Sequence, residues 1–222
     1  MEIIKNKIQQ LSKEYLDEII KLRRNLHAHP ELAFNEVVTG EFLCAELDKL
    51  NIPYKRGVAK TGIVALIEGK NPAKKTIGLR ADMDALQISE KNHVDYCSQN
   101  EGKMHACGHD VHMASLIGAA KILKSMSDSF EGTIKLIFQP SEEKYPGGAI
   151  MMIKEGVLQN PLVSTMIGQH VHPSISAGKI GIKPGKAMAS TDEIFITVKG
   201  KGGHAATPEL VIDPIVIASH II

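Results

Sequence analysis

The chain has 222 residues, 43% of them hydrophobic and 23% charged, proportions of an ordinary globular protein that argue against disorder. Lys and Arg number 26 against 25 Asp and Glu, a formal net charge of +1. That balance argues against a nucleic-acid-binding surface, which usually shows as a basic patch or stripe. The length suits one large domain, or one domain plus part of another.

Met1 to Lys21 mixes charge with Ile and Leu at helical spacing, unlike the apolar core of a signal peptide. No run in the sequence is long enough to span a bilayer. A cytoplasmic protein without membrane or nucleic-acid partners is the expectation. Leu11 to Leu26 reads as an amphipathic helix, broken at His29-Pro30 because proline disfavours a helical residue before it. A second helix is predicted over Asn35 to Leu50. Gly62 to Ile67 and Thr76 to Arg80 are short apolar, β-branched runs, hence strands, separated by the Asn71-Pro72 turn. Asp110 to Met126 reads as a helix with Asp110 as its N-cap. Thr133 to Gln139 is predicted as a buried strand, Gly148 to Glu155 as a helix, and Val163 to His170 as a further buried strand. Strands alternating with helices predict an α/β fold with a covered, largely parallel sheet.

The pattern changes near Ala187. Asp192 to Lys199 alternates as a half-exposed strand does, Gly200 to His204 reads as a loop, and Pro208 to Ile222 as the start of a helix. The expected division is a first, incomplete domain over 1–187 and the beginning of a second domain over 188–222.

Three cysteines, an odd number without paired spacing, fit reduced thiols better than a disulfide framework. Cys44 sits in an apolar pattern and reads as a buried small hydrophobe, while Cys97 lies in a polar stretch. Cys107 differs, because His105 and His109 flank it and Gly108 follows. In an extended segment residues two apart point the same way, so Cys107 and His109 could reach one metal. A buried cysteine beside a solvent-facing histidine is the plainer alternative. Glu142 and Glu143 follow a strand and Pro140. Consecutive side chains there point apart, which suits one carboxylate to ligation and the other to taking a proton from the attacking water. Two glutamates on a surface turn are the bland alternative. His170 and His172 are again two apart, either ligand and neighbour or a simple strand end. Asp82 and Asp84 could orient a ligand histidine or satisfy backbone amides in a turn. In open α/β sheets ligands gather at the carboxyl ends of strands, where these clusters are expected.

Leu26-His27-Ala28-His29-Pro30-Glu31, Arg80 to Leu86, His105 to Asp110, Gln139 to Glu143, His170 to Pro173 and Gly202-Gly203-His204 occur in that order. This ordered set resembles the M20 metallopeptidase family, in particular its amidohydrolase branch of hippurate hydrolases, N-acyl-amino-acid amidohydrolases and auxin-conjugate hydrolases. The similarity runs from about Leu22 to the C-terminus. The resemblance implies a catalytic domain holding two divalent metal ions, with a small α/β lid that also serves dimerisation. It implies hydrolysis of the amide bond of a small N-acylated amino acid. Carried over by position, Cys107 resembles the bridging ligand, His109, Glu143 and His170 further ligands, and Glu142 the general base. His204 resembles a residue that steadies the developing oxyanion, and Asp84 one that orients the ligands. His27 and His29 match a family signature without a catalytic role. Thiolate with imidazole suits zinc, while carboxylate admits manganese.

The chain departs from the family pattern at Glu209, where members usually carry histidine. Family chains are also much longer, so a C-terminally truncated member without the fifth metal ligand is expected. A non-catalytic remnant that keeps metal binding or subunit pairing is the alternative. A generic metal-binding structural domain is disfavoured by the free Glu142 and the glycine-rich loop at His204.

Overall fold

The computed structural model describes residues 2–190, 192 and 194–222. The chain divides into two compact units, Met1–Pro173 and Ser174–Ile222, so the division falls before the change of pattern near Ala187.

In the first unit a helix α1 (Glu2–Ala28) leads into α2 (Val37–Lys49). A five-stranded sheet follows, built from β1 (Tyr54–Val58), β2 (Gly62–Glu68), β3 (Thr76–Asp82), β4 (Thr133–Gln139) and β5 (Thr165–Gly168). Two more helices, α3 (His109–Ser125) and α4 (Gly148–Lys154), lie between β3 and β4 and between β4 and β5. The strand order is β1-β2-β4-β3-β5. Pairing is parallel across β4, β3 and β5 and antiparallel where β2 meets β4 and β1 meets β2. The carboxyl ends of β3, β4 and β5 therefore share one edge of the sheet. This is the α/β architecture expected, with the parallel part confined to the strands that carry the polar motifs.

The main core packs α1, α2 and α3 on one face of the sheet, through Leu26, Leu43, Leu47, Met113, Ile117 and Phe138 among others. Each large apolar side chain buried here contributes about 1.5–3 kcal/mol. A smaller cluster of Val58, Ala59, Ile137, Met152 and Val157 seats α4 on the opposite face. There the ammonium of buried Lys135 donates to the carbonyls of Val157, Gln159 and Pro161 at 2.7–2.9 Å, which satisfies a cation that burial would otherwise penalise.

The sequence predicts a buried strand over Val163 to His170, but β5 is shorter and exposed throughout, because among the described residues it is an edge strand paired on one side only. Asp110 is not the N-cap of α3. Gly108 holds that place at φ +90°, and Asp110 lies in the first turn, fully buried. The polar strand β1 escaped the sequence pattern, since Tyr54-Lys55-Arg56-Gly57 offers no apolar alternation.

In the second unit, Lys201 and Ile212 form an isolated antiparallel bridge. Helix α5 (Pro214–Ile221) is capped by Asp213, whose carboxylate accepts the Ile215 N–H at 2.8 Å. The strand expected over Asp192 to Lys199 does not form at Asp192 or over 194–199, while Glu193 lies outside the described residues. An alternating sequence needs a neighbouring strand to complete its ladder, and none pairs with it among the described residues. Among the described residues no helix is long and apolar enough to cross a membrane.

Candidate metal centre

Four segments of the first unit meet at the carboxyl edge of the sheet. Asp82, Met83 and Asp84 leave β3, the glutamate motif leaves β4, and Gln169-His170 follows β5. The His105 to Asp110 motif does not follow a strand. It reaches the same edge after the long connection 83–108, at the amino end of α3. Nor is Cys107-Gly108-His109 extended, because Gly108 is left-handed. A Cβ there would also stand 2.3 Å from Val171 Cγ2, so glycine is required both by the backbone and by the neighbour of His170.

Cys107, His109 and His170 present Sγ and imidazole nitrogens within 4.8 Å of one another, and His109, Glu142 and Glu143 do the same. The Cys107 Sγ lies 3.3 Å from His170 Nε2, and His109 Nε2 lies 3.8 Å from Glu143 Oε1. The two glutamates do not diverge as adjacent strand residues would. Ser141 has φ +48° and the chain bends after it, which brings both carboxylates to His109.

The glutamate loop is pinned through three successive backbone amides. Ser141 N–H donates to Glu36 Oε1 at 2.8 Å, and the N–H groups of Glu142 and Glu143 donate to the two oxygens of Asp84, both at 2.9 Å. Glu36 is completely buried and also accepts the Thr61 hydroxyl at 2.5 Å. Burial raises its pKa despite these bonds. Nothing in the sequence marks Glu36, a single acid before an apolar helix. Asp84 has the geometry of an orienting residue: besides the two amides, its backbone carbonyl accepts His109 Nδ1–H at 2.7 Å. That bond places the proton on Nδ1 and leaves Nε2 as a lone pair.

Do these residues fit a cation? Among the described residues, His109 Nε2 and Glu143 Oε1 are both buried without a hydrogen-bond partner, a costly state for polar atoms unless something completes them. Burial, then the Glu143 carboxylate and the charges of Glu142 and Asp82, push the Cys107 thiol up to about 12. Burial alone would depress the His109 pKa, but its bond to Asp84 and the charges of Asp82 and Asp84 reverse the sign and raise it. Burial, followed by the neighbouring Glu143 charge, raises Glu142. A surplus of negative charge around orphaned donors is the chemistry of a divalent-cation site.

Behind this set lies a second polar cluster. His27, near the end of α1, bonds Asp110 Oδ2 through Nδ1 at 2.7 Å and Glu90 Oε1 through Nε2 at 3.1 Å. Arg23 Nε stands 2.8 Å from the same Asp110 oxygen, an ion pair rather than an aligned hydrogen bond. The bond to Asp110 is the main cause of a raised His27 pKa. His105 is buried, has no hydrogen-bond partner at either nitrogen among the described residues, and is driven down to about 4 by burial. A cavity of about 660 Å³, lined by Arg23, His27, Tyr96, His105, Cys107 and His170 among others, opens beside the candidate ligands and suits a small organic molecule in size. A smaller cavity of about 90 Å³ at Glu36 and Cys44 lies apart from it.

Cys44 is buried in the core as expected, and Cys97 bonds Asn92 and Val94 within its own loop. His204 belongs to the second unit, where it is exposed and its Nδ1 accepts the Ala206 N–H at 3.2 Å.

The fold and the donor set together define an α/β domain with a candidate divalent-metal site at its sheet edge. The chain belongs to peptidase family M20/M25/M40, whose model matches residues 78–218. It is 42% identical to an N-acyl-L-amino acid amidohydrolase of Geobacillus stearothermophilus over 98% of this chain and 58% of that protein. It is 41% identical to the IAA-amino acid hydrolase ILR1-like 5 of Arabidopsis thaliana over 100% of this chain and 50% of that protein. Its structure resembles that of the Bacillus subtilis YXEP protein, described as a dinuclear metal binding peptidase of the M20 family. The TM-score is 0.72 at 40% identity, over 77% of this chain and 47% of that one. The chain spans about half the length of the curated relatives it matches.

Proposed function

We propose that this chain is the metal-binding part of a hydrolase that cleaves the amide bond of small N-acylated amino acids. The observation that carries the reading is the pair of buried, unpartnered ligand atoms, His109 Nε2 and Glu143 Oε1, facing the same space as Cys107 and His170. Cys107, His109, Glu143 and His170 would hold two divalent ions, zinc or manganese. Such ions supply Lewis acidity towards the amide carbonyl and acidify water. Glu142 takes the proton of the attacking water and returns it to the departing amine. Its raised pKa suits that exchange. Asp84 holds His109 in the ligating tautomer and fixes the glutamate loop. His204 is assigned to the developing oxyanion on the resemblance of its Gly-Gly-His loop, with residues 188–222 read as part of a small lid through which subunits pair. Three unpaired thiols support a cytoplasmic setting.

The test is release of free amino acid from a panel of N-acetyl and N-benzoyl amino acids after loading with manganese or zinc. Release that stops with chelator and returns with metal is expected. Tight metal binding with no release from any member would favour the non-catalytic alternative.

A further inference from the structure

His112 stands at the centre of the ligand set without belonging to it. It lies one turn beyond His109 on α3 and is buried. Its ring centroid is 5.5 Å from that of His109 and 4.6 Å from that of His170, the latter edge to face. With Asp82 and His109 it even meets the distances of a third metal-holding group. The hydrogen bonds argue for a different task. His112 Nδ1–H donates to Asp82 Oδ1 at 2.6 Å, so Nε2 carries the lone pair, and that lone pair accepts the Val171 N–H at 3.0 Å. Both ring nitrogens are occupied within the protein. Asp82 is braced in turn, with Oδ2 2.7 Å from Arg80 Nη1, while Arg80 Nε donates to Gln139 Oε1 at 2.9 Å. The chain of bonds thus touches the ends of β3 and β4, helix α3 and the segment after β5.

We propose that His112 is a positioning residue, which fastens the backbone bearing His170 to the helix bearing His109 and so sets the separation of the two imidazoles. The inference rests on His109 and His170 holding metal. Val171 is the effective anchor because it follows His170 directly. Its carbonyl accepts His170 Nδ1–H at 2.7 Å, which turns Nε2 towards Cys107. The segment needs such an anchor, since among the described residues β5 pairs on one side only. Partners that orient a metal ligand from behind typically change metal affinity by about 10–100-fold when removed.

The experiment is a zinc titration against a competing chromophoric chelator for the unmutated protein, His112→Leu, His112→Gln, His170→Ala and the double variant His112→Leu/His170→Ala. His112→Leu should weaken zinc binding about 10–100-fold. His112→Gln, whose amide oxygen can still accept the Val171 N–H, should recover most of the loss. His112→Leu should cost nothing further in the His170→Ala background. Unchanged affinity in His112→Leu, no recovery in His112→Gln, or full additivity in the double variant would each overturn the proposal. If His170→Ala itself binds zinc normally, the ligand reading fails and this inference with it. A second measurement does not depend on the variants folding. In the unmutated protein loaded with cadmium-113, the His170 ring should couple to the metal and the His112 ring should remain an uncoupled Nδ1–H tautomer. Coupling at His112 would make it a ligand and end the proposal.

Discussion

In a full-length, active form of the protein, replacing Glu142 with glutamine is expected to leave metal binding intact and to lower turnover of N-acyl amino acids by about 10²–10⁴-fold, the usual contribution of a general base. The side chain keeps its shape, and its backbone N–H still donates to Asp84, so the loop that carries Glu143 is undisturbed. What disappears is the ability to take a proton. Glu143→Gln should behave differently, losing metal because the buried, unpartnered oxygen at Glu143 is the one facing His109. Metal content and hydrolysis measured on both variants decide the assignment. Since both carboxylates converge on His109, the opposite result, metal lost in Glu142→Gln and kept in Glu143→Gln, would exchange the two roles.

The second large effect concerns stability. Asp110→Ala should destabilise the first unit by about 3 kcal/mol, the low end for breaking a buried pair, because Arg23 loses its buried counter-charge while His27 keeps Glu90. For a chain of this length that corresponds to a fall in Tm of roughly 10 °C. The effect should depend on pH in a defined sense. His27 has its folded pKa raised above 6.5, so its contribution is complete below that value and is lost as pH rises through the folded pKa. Asp110 has its folded pKa lowered below 3.8, so its contribution is complete above that value and is lost as pH falls through the folded pKa. The difference between wild type and variant should therefore be largest between pH 3.8 and 6.5. Urea denaturation with chelator present, across that range, measures it. A difference below about 1 kcal/mol, the worth of an exposed pair, would contradict the network.

Much of this arrangement is legible in the residues themselves, and the parts that are not share a cause. Strand β4 has the bounds expected from Thr133 to Gln139, because a continuous apolar run leaves few alternatives. Helix α1 extends well before Leu11, since nothing in Glu2 to Gln10 interrupts a helix even though that turn of the chain is exposed. Polarity misleads at the sheet edges: β1 is too polar to look like a strand, and β5 is apolar yet exposed. At the site, the motif residues Cys107, His109, Glu142, Glu143 and His170 come together from distant segments. Their supports were harder to see. Glu36 acts through a backbone amide 105 positions away, which no local pattern encodes. His112 left a trace, since it sits three residues after His109 and so shares a helix face with it. Asp110 looks like a cap because aspartate is among the favoured cap residues, yet it faces inward to a histidine 83 positions earlier.

Anomalous diffraction at the zinc absorption edge, from crystals grown with zinc, tests the metal centre directly. The account predicts anomalous density among Cys107 Sγ, His109 Nε2, the Glu143 carboxylate and His170 Nε2, with His112 outside the coordination sphere. Stoichiometric zinc located elsewhere in the chain, with no density between His109 and Glu143, would contradict it.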